Sequence, residues 1–210
     1  ASARLGYRFT DWLALEGHVL YSGGHNEFDG SFVNEDDFLQ LVYGMQATVQ
    51  ATDFWRITLK GGESRDESTN FLDDSQQSVF DTRRLSFSAV NNFTLIPEHL
   101  LSLGYDFQED KVDSSHRYAE DSRYNHAGFI QYQGKFYQHQ VLLAYRVDQN
   151  EQFGYHGTWN ASWGYAFDSG ILVSASYGTA FKAPTFNELY FPDFGNSTLT
   201  PEKSETYEVG

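Results

Sequence analysis

Hydrophobic and polar residues alternate with a period of two along most of the chain. Leu39, Leu41, Tyr43, Met45, Ala47, Val49 and Ala51 form one apolar row, with Gln40, Val42, Gly44, Gln46, Thr48 and Gln50 between them. Tyr155, Gly157, Trp159, Ala161, Trp163, Tyr165 and Phe167 repeat the pattern, interleaved with His156, Thr158, Asn160, Ser162, Gly164 and Ala166. Successive side chains of a strand point to opposite faces, so each run predicts a β-strand with one apolar face. Equivalent runs span Ala3 to Phe9, Leu13 to Tyr21, Trp55 to Gly61, Leu85 to Phe93, Leu101 to Phe107, Gly128 to Tyr132, Val141 to Val147 and Ile171 to Phe181, giving about ten strands. Strands of soluble domains average about five or six residues, so runs of this length with an unbroken apolar face suit a bilayer better than a small core.

Charge follows the same division. Arg4, Arg8, Glu16, His18, Arg56, Lys60, Arg84, Asp106 and Arg146 all fall on the polar row of their runs. That segregation is expected where the apolar row meets lipid, because Arg or Lys at mid-depth costs ~2–4 kcal/mol, and the other row faces a wet lumen or a plug. Tyr7, Phe9, Tyr21, Phe93, Phe107 and Phe167, near run ends, are placed for interfacial aromatic girdles. Short turns are predicted near Thr10-Asp11, Thr52-Asp53, Ile96-Pro97-Glu98, Gly134-Lys135 and Asp168-Ser169-Gly170, and long polar loops near 23–37, 64–79, 109–121, 149–154 and 182–203. In an outer-membrane barrel short turns face the periplasm and long loops face outside, so the alternation orients the chain. A soluble barrel or large β-sandwich also alternates, but accounts for neither the strand lengths nor the one-sided loops. A propeller needs a recurring motif of ~40–50 residues, and none is visible.

Composition narrows the chemistry. The 210 residues include no cysteine, which excludes disulfides, thiolate metal sites and a catalytic thiol. A formal charge of -15 argues against a nucleic-acid partner, since phosphate binding requires clustered Lys and Arg. Eighteen Phe, 14 Tyr and 18 Gly beside 1 Met favour strands over helices. No run of ~18 apolar residues exists for a transmembrane helix, whereas membrane strands need only ~9–11 residues with alternate positions apolar, consistent with a mean hydropathy of -0.53. Ala1 opens directly on a strand pattern without a signal-peptide core, and the expectation is that further chain precedes it. No nucleophile elbow, phosphate-binding glycine loop or His-Glu-x-x-His pattern occurs. His99, His126, His139 and His156 fall on different strands without metal-ligand spacing, and the glycosylation-like Asn160-Ala161-Ser162 lies within a strand.

The last third carries the most specific signal. Tyr177-Gly178-Thr179-Ala180-Phe181-Lys182-Ala183-Pro184-Thr185-Phe186-Asn187-Glu188-Leu189-Tyr190, then Gly195-Asn196, Leu199, Pro201-Glu202-Lys203-Ser204 and Tyr207-Glu208-Val209-Gly210 resemble the barrel signature of TonB-dependent outer-membrane receptors. Locally, a strand ends at Lys182, Pro184 breaks the ladder, Gly195-Asn196 permits a tight turn, and Pro201 leads into the next strand. Asp148 to Trp159 is similar to the matching segment of the cobalamin receptor branch. The resemblance implies an all-β, antiparallel transmembrane β-barrel, of which residues 1–210 are a partial barrel domain of about ten to eleven strands. Such barrels have roughly 22 strands around a plug, and here the plug and its TonB-binding box are expected outside the chain. Implied partners are outer-membrane lipid and lipopolysaccharide, TonB through the plug, and a corrinoid or siderophore ligand, with no nucleic acid.

The cobalamin branch also implies calcium ions in early extracellular loops, which points to Asp29, Glu35, Asp36 and Asp37, with Asp73-Asp74 in the next loop as further oxygen donors. Against this stands the plain alternative of a solvated acidic loop. Loop 109–123 resembles one that touches bound corrinoid, which places Ser114, Ser115 and His116 near a pocket mouth. The expected function is active uptake of a large scarce nutrient, with cobalamin first. A ferric siderophore or haem receptor is the alternative, followed by a passive porin or a barrel enzyme using Asp73, Asp74 and His116 at the rim.

Overall fold

The structure, a computed structural model, describes residues 1–210. Eleven strands form one antiparallel sheet: β1 (Ser2–Arg8), β2 (Leu13–Glu27), β3 (Glu35–Thr52), β4 (Trp55–Leu72), β5 (Ser75–Ile96), β6 (His99–Ser114), β7 (Ser122–Phe136), β8 (His139–Asn150), β9 (Gly154–Ala166), β10 (Leu172–Lys182) and β11 (Glu202–Val209). Each strand pairs only with its neighbours in sequence, and β1 and β11 are the two edges. One short helix, α1 (Phe186–Tyr190), lies in the β10–β11 connection.

The two rows read from sequence become the two faces of a curled sheet. Arg4 and Glu16 near one edge share a single hollow with Lys60, Arg84, Asp106 and Arg146 from β4, β5, β6 and β8. Strands so far apart in the sheet reach one hollow only because the sheet curves around it, so the polar row is concave. Ion pairs knit this inner wall, with Arg4–Glu16 and Arg84–Asp110 both at 2.6 Å and Arg146 held between Asp106 and Asp148. The convex face exposes Leu5, Tyr7, Val19, Met45, Leu59, Phe87, Leu103, Leu143, Trp159 and Trp163. Only 12 of 210 residues are buried, so the chain has no central core to hide its apolar side chains. An outward apolar face over an inner polar one is the arrangement of a membrane barrel wall.

Register matches the predicted runs, but the strands are longer. β4 has 18 residues and β5 has 22, and the predicted loop 64–79 is instead a tall hairpin closed by Asp73 and Asp74. Both residues have positive φ, 48° and 65°, the conformation a two-residue hairpin turn of matching twist requires and that Asp tolerates. Likewise β2 continues to Glu27 and β3 starts at Glu35, leaving residues 28–34 as loop, and β6 runs to Ser114. The turn predicted at Gly134-Lys135 lies at residues 137–138, where Tyr137 takes φ 56°. Gly134 remains in the ladder opposite His99 and Val141. All the connections at one end of the sheet are short, and the long excursions, 115–121 and 183–201, are at the other.

This geometry separates otherwise similar substitutions. Leu59→Arg, on the convex face, should lower the stability of the lipid-inserted barrel by ~2–4 kcal/mol, whereas Thr58→Arg, on the concave face, should change it by well under half of that. Urea unfolding in lipid vesicles measures both, and equal losses would place the lipid boundary wrongly.

Candidate functional site

The long-loop end of the concave face is partly roofed by the β10–β11 connection, and the signature residues build that roof. β10 ends at Phe181 and Lys182, with Lys182 Nζ 3.8 Å from Glu202 at the start of β11. Beyond Ala183, Pro184 is buried, and its carbonyl accepts a hydrogen bond from Arg123 Nη1 of β7 at 2.8 Å. Thr185 caps α1: its hydroxyl accepts from the Glu188 amide, while the Glu188 carboxylate accepts from the Thr185 amide at 2.7 Å. This reciprocal capping satisfies donors that a five-residue helix otherwise leaves open. Those hydrogen bonds hold the Glu188 carboxyl below its ordinary pKa.

Leu189 is the most deeply buried large side chain, 2 % exposed, and pins the roof from beneath. Gly195 donates its amide to Phe191 O and Asn196 donates its amide to Glu188 O, which closes the end of α1. A Cβ at Gly195 would come within 2.7 Å of three backbone atoms, so glycine is required there by close approach. Asn196 Oδ1 accepts from the Thr198 amide and hydroxyl. Pro201 precedes β11, in which Ser204 lies opposite Ala180, Tyr207 opposite Tyr177 and Glu208 opposite Ser176, and Gly210 exchanges two backbone hydrogen bonds with Ser174.

An aromatic floor forms where this roof meets the neighbouring loops. His116 stacks on Phe80 of β5 at 5.6 Å and 5°, and on Phe191 at 5.7 Å and 28°. Tyr118 meets Phe191 edge-on, and its hydroxyl donates to Asn187 Oδ1 at 2.6 Å. Burial raises the Tyr118 hydroxyl above its ordinary pKa, keeping it a neutral donor. Gln152, in the turn after β8, donates to the Tyr190 hydroxyl. The Arg123 guanidinium lies against the Phe186 ring at 5.1 Å and the Phe153 ring at 5.9 Å. Ring faces, amides and hydroxyls thus converge at one end of a polar trough.

Of the residues expected at the mouth, His116 belongs to the floor. Ser114 and Ser115 instead close the top of the β5–β6 ladder: Ser114 Oγ donates to Val79 O at 2.8 Å, and the Val79 amide donates to Ser115 Oγ at 3.0 Å. Ser115 Oγ lies 3.4 Å from His116 Nδ1. Asp73 and Asp74 do not join His116, since they engage Asn34 and Glu35 at the β4–β5 tip. The acidic run of β3 is divided by the strand's own period. Asp36 accepts from Ser68 and Asn26, Asp37 lies 2.8 Å from His25 Nδ1, Glu35 accepts the Asp74 amide, and Asp29 is exposed in loop 28–34. No three His, Asp or Glu side chains gather into a set able to hold a metal ion. A hard cation requires several convergent oxygens, and this arrangement does not supply them.

Phe80, Asn187 and Phe191 were not singled out as site residues from sequence. The roof should depend on its capping box. Thr185→Ala should destabilise it by about 1 kcal/mol, read as faster amide exchange across residues 186–196. The folded Glu188 pKa is lowered, so its contribution is complete above the unfolded value and is lost as pH falls through the folded one. Exchange in this segment should therefore accelerate on acidification below the ordinary carboxylate range, and the pH dependence should vanish in Glu188→Gln.

Residues 2–210 match the family described as TonB dependent receptor-like, beta-barrel. The chain is 32% identical over 211 aligned residues to a protein of Photobacterium profundum named vitamin B12 transporter BtuB, covering 94% of this chain and 33% of that protein. The chain therefore spans about a third of the length of that curated relative. Among solved structures, the siderophore receptor PirA from Acinetobacter baumannii superposes with TM-score 0.86 at 14% identity, over 100% of this chain and 40% of that one. A ferric enterobactin receptor, PfeA, from Pseudomonas aeruginosa gives 0.83 at 17% identity, over 99% of this chain and 39% of that one. These low identities establish the shared fold alone. From its alternating faces, its sheet and its signature-built roof, this chain belongs to the TonB-dependent receptor β-barrel family.

Proposed function

We propose that this chain forms part of the barrel of an outer-membrane transport receptor in a Gram-negative bacterium, and that the receptor captures a corrinoid of the cobalamin class for TonB-dependent uptake. The observation that carries the reading is the floor of Phe80, His116, Tyr118 and Phe191 beneath the roof. A corrinoid presents a broad planar face ringed by amides, and such a ligand suits the half-buried rings of Phe80, His116 and Phe191 flanked by amide and hydroxyl groups. The similarity to curated proteins named vitamin B12 transporter supports the same substrate. Energy would reach the ligand through a plug that engages TonB, and the ion pairs of the inner wall would face that plug.

The second reading is a ferric siderophore receptor, favoured by the fold shared with PirA and PfeA. An anionic iron chelate is best held by free guanidiniums. Arg84 and Arg123, which point into the mouth from the strands, are already engaged by Asp110 and by Pro184 with two rings. The reading is of a carrier: Asp73 and Asp74 engage Asn34 and Glu35 at the β4–β5 tip, apart from His116, with which the barrel-enzyme alternative would combine them.

Equilibrium binding of cyanocobalamin to the complete detergent-solubilised receptor tests the assignment. A sub-micromolar Kd is expected, weakened about tenfold, or ~1.4 kcal/mol, by Phe191→Ala. Running the titration with and without added calcium tests an ion requirement separately. A folded receptor that ignores cyanocobalamin in both conditions but binds a ferric chelate would move the assignment to the second reading.

A further inference from the structure

The cavity beneath the roof holds a carboxylate that neither the ladder nor the aromatic floor uses. Asp66 of β4 stands in the concave row, opposite Gln40 of β3 and Thr82 of β5. Thr82 is the next concave residue of β5 below Phe80, so Asp66 lies one ladder step, ~7 Å along the strand, under the floor. With Gln40, Ser64, Thr82 and the roof residues Thr185 and Phe186 it lines a cavity of about 420 Å³. Asp is depleted in strands, and a sheet gains from it only where an opposite charge faces it.

No cation faces Asp66. The one placed to do so is Arg84, its diagonal neighbour, which lies opposite Ser64 on one side and Asp110 on the other. Arg84 turns away to Asp110, donating two hydrogen bonds at 2.6 and 3.2 Å. Arg123, the second guanidinium of the cavity, is fixed on Pro184 O. Arg65, Arg83 and Lys111 belong to the opposite row and pair there with Asp81 and Glu109. Asp66 therefore makes no ion pair, and its Oδ2 accepts only from Gln40 Nε2, at 2.8 Å. That bond also orients the Gln40 amide, leaving Oε1 as a second acceptor. Asp66 Oδ1, Gln40 Oε1 and the Ser64 hydroxyl have no partner within the chain. What this wall offers the cavity is a set of acceptors, one of them charged. Its complement is a donor that carries no negative charge. A primary carboxamide brings two N–H donors on one nitrogen, whereas a carboxylate in its place donates nothing and sets like charge against Asp66.

We infer that Asp66, with Gln40 and Ser64, forms an amide-selecting subsite that accepts a peripheral carboxamide of the corrinoid and rejects the same position as a carboxylate. This role rests on the corrinoid reading above and deepens it, naming the residue that reads the amidation state of the ligand.

The complete detergent-solubilised receptor is titrated at neutral pH with cyanocobalamin and with each of its isomeric monocarboxylic acids, in which one peripheral amide is hydrolysed and ionised. At least one isomer should bind the wild type at least about tenfold more weakly than cyanocobalamin does. Asn at position 66 removes the charge and supplies a donor, so folded Asp66→Asn should bring that isomer to within about threefold of cyanocobalamin. Glu67→Gln, one residue on and in the opposite row, should leave the discrimination intact. Equal binding of cyanocobalamin and every isomer by the wild type overturns the subsite without recourse to any variant, as does discrimination that survives in folded Asp66→Asn. Both of those outcomes leave the corrinoid reading standing. A folded receptor that binds no cyanocobalamin overturns the corrinoid reading and the subsite together.

Discussion

A backbone that crosses hydrocarbon has no water to satisfy its amides and carbonyls, and that single requirement organises this chain. The sheet meets it by pairing every strand with its sequence neighbours, and 126 of the 148 backbone–backbone hydrogen bonds lie within strands or the helix. Pairing in sequence order fixes antiparallel direction and a strict alternation of faces. Because 12 residues only are buried, the energetics rest on the convex face being surrounded by lipid and not on an internal core. The ion pairs of the concave face are tolerated for the same reason: they face a wet trough.

Once the ladder is set, it extends past the membrane. A strand of 22 residues at ~3.3 Å per residue is far longer than the ~9–11 residues a crossing needs, even with the tilt of a barrel strand. The β4–β5 hairpin therefore stands well above the apolar band and supplies different chemistry at different heights. The same strand β5 presents Phe93 and Leu85 to the apolar convex face and, near its upper end, Phe80 to the mouth. Function is thus distributed by height along the strand as well as by face.

The roof shows how a loop obtains order without regular structure of any length. α1 has five residues, too few to be stable alone, and it persists because each end is closed by specific groups, Thr185 with Glu188 at one and Gly195 with Asn196 at the other. Leu189 and Pro184 supply the buried contacts, and Arg123 and Tyr118 fasten the segment to β7 and to loop 115–121. The signature residues are therefore architectural: they hold Phe191 over Phe80 and His116.

What the sequence determined by itself was the alternation, and with it the all-β class, the strand count, the polar inner wall and the position of the signature. Those are local properties, since neighbouring side chains of a strand point opposite ways whatever surrounds them. The height of the strands was not legible. Above the membrane both faces are wet, so Glu63, Arg65 and Glu67 alternate with Ser64, Asp66 and Ser68 without any apolar contrast, and the segment reads as loop. The acidic run 35–37 read as one patch, yet a strand's period sends Asp36 to Ser68 and Asp37 to His25. The meeting of Phe80, His116 and Phe191 was decided only by tertiary structure, because it depends on the curl of the sheet and the inward fold of the β10–β11 connection, neither of which leaves a periodic trace in the chain.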